Sequence, residues 1–231
     1  MECASKILAF DTSGQGVSLA LLDGREIVAR GRREGRPAEG ILSAIEEILA
    51  EAGWSLASLG LVVVGIGPGS FTGTRVGLAT AKGLAFATGA DVVGVSSLVA
   101  RARSVGEGAF AVVTSAGRGE VYAGAYRCSS EAPADELVAP FLASPEHALD
   151  RLGGAWPIFA EAGLGLSVAS VPPLDPGALG IEGWLRYRAH GSDDAARLEP
   201  SYVRPSDAKL PAKPLRIHEA QSPSSSSKRE A

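Results

Sequence analysis

The stretch from Gly67 to Gly77 constrains the fold more than any other part of the sequence. It reads Gly-Pro-Gly-Ser-Phe-Thr-Gly-Thr-Arg-Val-Gly. An apolar run, Leu61 to Ile66, precedes it, and a long segment without proline, Val76 to Thr88, follows it. Because these runs are typical of a buried strand and a helix, the stretch is predicted to join a strand to a helix. Glycine at such a junction lets another backbone or a ligand come close.

Small residues recur on the helix that is predicted after this stretch. Gly73 and Gly77 are followed, at the same four-residue spacing, by Ala81 and Ala85. Because an interior glycine costs about 1 kcal/mol relative to alanine, a helix that holds Gly73, Gly77 and Gly83 needs a reason to keep them. Two explanations stay open: close packing on the protein's own sheet, and a surface for a partner.

The loop before this helix also has two interpretations. The backbone N–H groups of Gly67, Gly69 and Ser70, at a helix N-terminus, would suit an anion. The spacing is not that of a P-loop, since Lys82 lies too far along the helix. It also misses the dinucleotide-binding pattern by one residue, at Gly73. The alternative is a tight turn that binds no ligand.

The chain is predicted to open with three antiparallel strands. An apolar run, Ile7 to Phe10, ends at Asp11-Thr12-Ser13, a group of residues typical of turns. Two further strand-like runs, Val17 to Leu22 and Glu26 to Arg30, flank Asp23-Gly24, and Asp-Gly between such runs favours a hairpin.

An amphipathic helix is predicted next. Pro37 suits its first turn, Ile41 and Ile45 lie on its apolar face, and Gly53 ends it. The glycine-rich junction, the second helix and a strand at Val92 to Val95 complete the first half of the chain.

The same order of elements then restarts. The predicted elements are strands at Phe110–Thr114, Val121–Arg127 and Leu137–Leu142, a helix at Glu146–Leu152 and a strand at Ile158–Ala160. We therefore predict a duplicated α/β fold with two lobes, residues 1–104 and 105–204, each a mixed sheet flanked by helices. Residues 205–231 hold repeated prolines and a serine run, a composition that favours a disordered tail.

Composition narrows the functional classes. At 45% hydrophobic residues the chain can bury a core, and its net charge of −4 argues against broad electrostatic capture of nucleic acid. Cys3 and Cys128 have neither zinc-site nor disulfide-framework spacing, so we expect reduced thiols and a cytoplasmic protein. The start of the chain lacks a secretory core, and no run reaches the roughly 18 apolar residues of a membrane helix.

Four segments, taken in order, resemble one family. The junction Gly67 to Gly77 with the helix after it is similar to the central motif of the TsaB (YeaZ) family. Ile7 to Ser13 resembles the opening strand and turn of that family, Gly119 to Tyr122 its second-lobe hairpin, and Glu199 to Arg204 its C-terminal motif. The resemblance covers about residues 6–204 and implies the actin-like (ASKHA, RNase H-like) fold of the TsaD/Kae1-related proteins.

The resemblance implies a non-catalytic subunit in tRNA modification. Its partners would be a TsaD-type catalytic subunit and a TsaE-type ATPase, which together transfer threonylcarbamoyl from threonylcarbamoyl-AMP to N6 of adenosine 37 in ANN-decoding tRNAs (t6A). The chain alone would form a homodimer, and tRNA would be reached through the complex. No cofactor of its own is expected, although an adenine nucleotide at the partner interface is allowed. The alternative is an actin-like ATPase or kinase that acts alone.

The resemblance also suggests where contacts lie. It places the partner interface on the first two helices, for which the candidate residues are Ile41, Ile45, Gly73, Gly77, Ala81 and Ala85. In the actin-like class the turn at Asp11, Thr12 and Ser13 lies near nucleotide phosphates. The alternative for this turn is a local cap, in which the three side chains bond nearby backbone N–H groups.

Catalytic groups are sparse in the sequence. The related catalytic subunits carry a pair of histidines on the first helix, but the matching helix here begins Arg36-Pro37-Ala38-Glu39 and holds no histidine. Family members also have an acidic residue at the position of Ser115 in this chain. The histidines, His147, His190 and His218, lie far apart, so no metal site is expected. Gly69-Ser70-Phe71 does not form a nucleophile elbow, and hydrolysis is not predicted.

Overall fold

The structure, a computed structural model, describes residues 5–204. The predicted tail, residues 205–231, lies outside the described residues, as does Cys3. The first half of the fold comprises β1 (Lys6–Asp11), β2 (Val17–Asp23), β3 (Glu26–Arg33), α1 (Pro37–Glu51), β4 (Leu61–Gly65), α2 (Phe71–Thr88), β5 (Asp91–Val95) and α3 (Ser97–Val105), with a 3₁₀ turn at Leu56–Ser58. The second half comprises β6 (Gly108–Gly117), β7 (Glu120–Cys128), β8 (Asp135–Ala143), α4 (Pro145–Leu152), β9 (Ile158–Ala160), β10 (Ala169–Ser170) and α5 (Pro176–His190).

Both halves build a five-stranded sheet with the same strand order. The first sheet runs β3-β2-β1-β4-β5, and the second, read in the same sense, runs β8-β7-β6-β9-β10. In each sheet the first three strands are antiparallel, and the fourth and fifth are parallel to the first. The predicted duplication is confirmed.

Local signals in the sequence explain where these elements start and stop. Gly24 has a φ of 59° and closes the hairpin between β2 and β3. Pro37 occupies the first turn of α1. Ser70 caps α2 by accepting a hydrogen bond from the Gly73 N–H, and Gly89 ends α2 in the left-handed conformation.

The first sheet is buried on both faces, which is why its inner strands are almost continuously apolar. Since neighbouring side chains on a strand point to opposite faces, Leu8 and Phe10 pack under α1 and α2, while Ile7 and Ala9 face α5. The second sheet packs α4 on one face and α3 on the other.

Helix α5 belongs spatially to the first lobe, although it follows the second sheet in the chain. Leu179 lies in the core on the face of the first sheet that carries Ile7 and Ala9. Side chains on Gly180 and Gly183 would collide with Leu22 and Val63, so these glycines let α5 lie close to the strands. Helix α5, which lies in the range that the sequence analysis assigned to the second lobe, thus packs on the first sheet.

A buried ion pair between α3 and α5 links the first lobe to the β7–β8 loop of the second. Arg103 of α3 donates from Nε to Glu182 Oε2 of α5 at 2.7 Å, and Glu182 is 1% exposed. Arg103 also donates to the carbonyls of Ser129 and Ala132 in the β7–β8 loop. The N–H of Ala134 donates to the Glu182 carboxylate, so both members of the charged pair have hydrogen bonds beyond those that join them.

Candidate functional site

A cleft of about 670 Å³ opens between the two lobes. Its first-lobe wall is the end of β1, the glycine-rich junction and the start of α3. Its second-lobe wall is the end of β6 and the loop after β9. The polar residues that line it include Asp11, Ser13, Arg32, Ser70, Ser97, Arg101, Thr114, Ser115, Glu161 and Ser170.

Both carboxylate oxygens of Asp11 are engaged by the protein. Oδ1 accepts hydrogen bonds from the Ser13 N–H at 2.8 Å and from the Ser13 hydroxyl at 2.7 Å. Oδ2 accepts from the Ser97 hydroxyl at 2.8 Å, and Asp11 is only 5% exposed. The bond from the Ser13 N–H to Asp11 is a local cap of the turn, whereas the bond from Ser97 joins the turn to the start of α3.

The glycines at the junction make room for that same turn. A side chain on Gly69 would collide with Ser13, and one on Gly73 or Gly77 would collide with Thr12. Thr12 is fully buried and its hydroxyl donates to the Gly73 carbonyl at 2.7 Å. The N–H of Ser70 donates to the Ser13 carbonyl at 2.7 Å, so the junction is docked onto the end of β1.

The residues that the sequence analysis offered for a partner interface are not on the protein surface. Gly73, Gly77, Ala81 and Ala85 are buried in the first lobe, because this side of α2 faces β1 and β4 rather than solvent. Ile41 and Ile45 are buried under the same sheet. The small-residue stripe is intramolecular packing, and a partner on these helices would contact their other side.

The outer side of α1 and α2 carries exposed apolar side chains. Phe86 is 94% exposed and Leu42 is 59% exposed. At the start of α2, Phe71 is half-exposed, and the Arg75 guanidinium lies 3.8 Å from the centre of its ring. Gly83 lies on this side too, and a side chain there would meet open space. We call this the outer helix face.

Glu161 is a carboxylate of the cleft that the sequence analysis missed. Its Oε2 accepts a hydrogen bond from the Ser115 N–H at 2.8 Å, and its Oε1 lies 3.9 Å from Arg101. The second lobe thus places an acid beside Ser115, where the sequence showed none. The available signal was an acidic residue directly after the predicted strand Ile158–Ala160, which in the structure lies parallel to β6 and ends at the cleft.

Other candidate groups do not gather into a site. His147 lies in the first turn of α4, where its N–H donates to Ser144, and His190 ends α5. Across residues 5–204, no three His, Cys, Asp or Glu side chains are placed to hold a metal ion. Cys128 is buried, and burial raises the pKa of its thiol to about 11. None of the described helices is long and apolar enough to cross a membrane.

A match to a family of known proteins shows which family the chain is related to. The family described as TsaD, tRNA N6-adenosine threonylcarbamoyltransferase, matches residues 36–160. The chain belongs to this family. A relative in Mycobacterium tuberculosis, described as uncharacterized, is 34% identical over 221 residues, which is 89% of this chain and 94% of the relative.

Within the family, the chain resembles TsaB proteins. The tRNA threonylcarbamoyladenosine biosynthesis protein TsaB of Escherichia coli is 35% identical over 127 residues, 53% of this chain and 55% of that protein. The TsaB of Haemophilus influenzae is 40% identical over 102 residues, 44% of this chain and 43% of that protein. These alignments thus span about half the length of either TsaB.

The fold agrees over a longer range. YeaZ from Pseudomonas aeruginosa superposes with a TM-score of 0.73 at 25% identity and covers 86% of this chain and 99% of that chain. The predicted resemblance to the TsaB (YeaZ) proteins is confirmed, and so is the duplicated actin-like fold, with two mixed sheets flanked by helices.

Proposed function

We propose that the chain takes part in t6A biosynthesis as a non-catalytic subunit that binds and activates a TsaD-type catalytic subunit. The observation that carries this proposal is the relationship to proteins named for tRNA threonylcarbamoyladenosine biosynthesis. In the proposed complex, a TsaE-type ATPase is the third component, and the chain meets tRNA through its partners in the cytoplasm.

The chemistry of the cleft supports a role without catalysis. A catalytic carboxylate must reach a substrate, a water or a metal. Asp11 is instead surrounded by the hydroxyls of Ser13 and Ser97, and Glu161 accepts the backbone N–H of Ser115 on its own side of the cleft. The groups that an actin-like ATPase would use therefore hold the protein's own loops in place.

The outer helix face is the proposed contact for the catalytic subunit and, in its absence, for a second copy of the chain. Large exposed apolar side chains such as Phe86 and Leu42 are typical of surfaces that bind other proteins. Phe86→Glu is expected to abolish association without lowering the melting temperature. Val28→Glu, on the exposed side of the β3 edge strand, is the matched control and should associate normally.

One observation favours the alternative, an ATPase that acts alone. The cleft has a carboxylate in each lobe, Asp11 and Glu161, as that chemistry would need. Steady-state ATP hydrolysis by the isolated chain separates the two functions. Turnover that survives ion exchange and is lost in both Asp11→Asn and Glu161→Gln would establish the ATPase.

Reconstitution tests the proposal directly. The chain is mixed with its cognate TsaD-type and TsaE-type proteins, threonylcarbamoyl-AMP and an ANN-decoding tRNA, and modified adenosine is measured. We expect modification to require the chain, to survive Glu161→Gln and to be lost with Phe86→Glu. Full modification without the chain, or loss with Glu161→Gln in a folded protein, would contradict the proposal.

A further inference from the structure

Two motifs that lie far apart in the sequence meet in the structure. Arg204, the last residue of the Glu199–Arg204 motif, places Nη1 2.8 Å from Glu120 Oε2 in the hairpin motif Gly119–Tyr122. Its Nη2 donates to the Ala116 carbonyl at 3.0 Å on the other arm of that hairpin. A single guanidinium thus holds both arms of the β6–β7 hairpin.

Arg204 ends a segment, residues 191–204, that we call the strap. The strap begins on the first lobe, where the N–H of Asp193 donates to the Val92 carbonyl and its carboxylate accepts the Gly94 N–H, each at 2.8 Å. Farther along, the N–H of Ser201 donates to the Ile66 carbonyl at 2.8 Å. The strap therefore crosses from the first lobe to the second.

The four residues at the end of the strap make four different contacts. Ser201 bonds Ile66, the residue after β4, and the Tyr202 hydroxyl accepts a hydrogen bond from Arg75 Nε of α2 at 3.0 Å. Val203 packs into the core between α3 and the second sheet. Arg204 holds the hairpin. Since these residues are consecutive, a displacement of one is passed to the next.

The hairpin end of this chain of contacts forms a wall of the cleft. Ala116, which Arg204 holds, follows Ser115 and Thr114, and both of these line the cleft. The Ser115 N–H is the group that Glu161 binds. At the other end, Tyr202 and Phe71 are half-exposed, with ring centres 6.0 Å apart and Arg75 against both.

We propose that the strap is a latch, which fixes the second-lobe wall of the cleft through Arg204 and couples that wall to the exposed corner made by Phe71, Arg75 and Tyr202. A contact on this corner changes the hairpin without entering the cleft. Use of the latch by a protein partner rests on the proposed function, but the latch itself is a property of the chain alone.

Residue-resolved amide exchange on the isolated chain tests the latch. Arg204→Gln is expected to raise the exchange rates of the Ser115 and Gly117 amides about tenfold, while β4 amides keep their rates, because the hairpin opens locally. The matched control is Arg197→Gln, a strap arginine whose 89% exposed side chain pairs with Asp194 inside the strap. This control should change neither set of amides.

The coupling to the corner is tested with Tyr202→Ala. This variant should speed exchange at Ser115, and the double variant with Arg204→Gln should exchange no faster than Arg204→Gln alone, because both changes open the same latch. If the factors by which the two substitutions speed exchange multiply in the double variant, the coupling is overturned.

Two outcomes would overturn the latch as a whole. The first is that the hairpin amides of Arg204→Gln exchange at the same rates as those of Arg197→Gln. The second is that Arg204→Gln speeds amide exchange equally in both lobes. Glu120→Gln breaks the same ion pair from the hairpin and covers the case in which Arg204→Gln fails to fold. A Glu120→Gln protein with unaltered hairpin exchange would overturn the latch as well. Because no partner is present, these results are independent of the proposed function.

Discussion

The Thr12 side chain fills the space that a side chain on Gly77 would need. A Cβ at position 77 would collide with the Thr12 hydroxyl, which is already fixed by its hydrogen bond to the Gly73 carbonyl. The first turn after β1 and the second helix therefore fit each other, and this contact explains the glycines at positions 73 and 77 of α2.

Substitution of Gly77 tests the fit. Gly77→Ala is expected to lower the free energy of unfolding by about 1–3 kcal/mol, because the added methyl group overpacks the contact with Thr12. Gly83→Ala is the control on the same helix. Its methyl group meets open space, so the variant should be neutral or up to about 1 kcal/mol more stable. Urea titrations measure both, and a Gly77→Ala protein as stable as Gly83→Ala would refute the fit.

The buried pair Arg103–Glu182 is expected to dominate the electrostatic part of the stability. Glu182→Gln leaves the Arg103 charge buried without its partner and should cost about 3–5 kcal/mol. Glu131→Gln breaks the exposed pair with Arg25 and should cost under about 1 kcal/mol. Thermal or urea unfolding compares the two. Equal, small losses would mean that solvent reaches the Arg103 guanidinium.

Asp175 makes part of the stability depend on pH. Burial by itself raises the pKa of Asp175, but hydrogen bonds from Arg30 and the Gly177 N–H outweigh it and hold the pKa below its ordinary value. The ionised carboxylate therefore stabilises the fold above the unfolded-state pKa of about 3.9, and this contribution is lost as the pH falls through the lower folded-state pKa.

We expect Asp175→Asn to be less stable than the native chain by under about 1 kcal/mol near neutral pH, because Arg30 is half-exposed and asparagine still caps a helix. The difference should shrink below about pH 4, as the carboxyl is protonated. An Arg30→Gln background should weaken this pH dependence. Unfolding titrations across the range measure it, and a difference that grows on acidification would contradict the assignment.

Cys128 should be a slow thiol. Because burial raises its pKa to about 11, a Cys3→Ser chain, which keeps only Cys128, should react with a thiol reagent at mildly alkaline pH at least about a hundredfold more slowly when folded than in urea. The same shift should lower stability as the pH rises above the unfolded thiol pKa of about 8.5. Equal labelling rates in both states would show that the thiol is accessible.

The sequence predicts the elements of this fold well because their signals are local. Pro37, the Asp23-Gly24 pair and Gly53 mark ends that depend on a few neighbouring residues, and the structure has those ends. The repeated order of strands then predicts the duplication, because each half must build its own mixed sheet around an apolar core.

What the sequence left undecided involves partners that are distant along the chain. The spacing of Gly73 and Gly77 shows that something comes close to α2, but Thr12 lies outside any window that includes that helix. Glu161 and Glu182 become parts of a cleft wall and of an interlobe pair only after the two halves pack. The Arg204–Glu120 contact joins two motifs that the sequence analysis recognised, but neither motif indicates that the other is its contact partner.

The placement of α5 has a consequence for how the protein is made. One face of the first sheet, which includes Ile7, Ala9 and Val63, is covered by Leu179 and its neighbours on α5. During synthesis the ribosome delivers all five strands of that sheet, and then the whole second sheet, before it delivers this cover. The growing chain therefore carries an apolar face without its α5 cover until it is nearly complete, and exposed apolar surface of this kind favours aggregation of an incompletely folded chain.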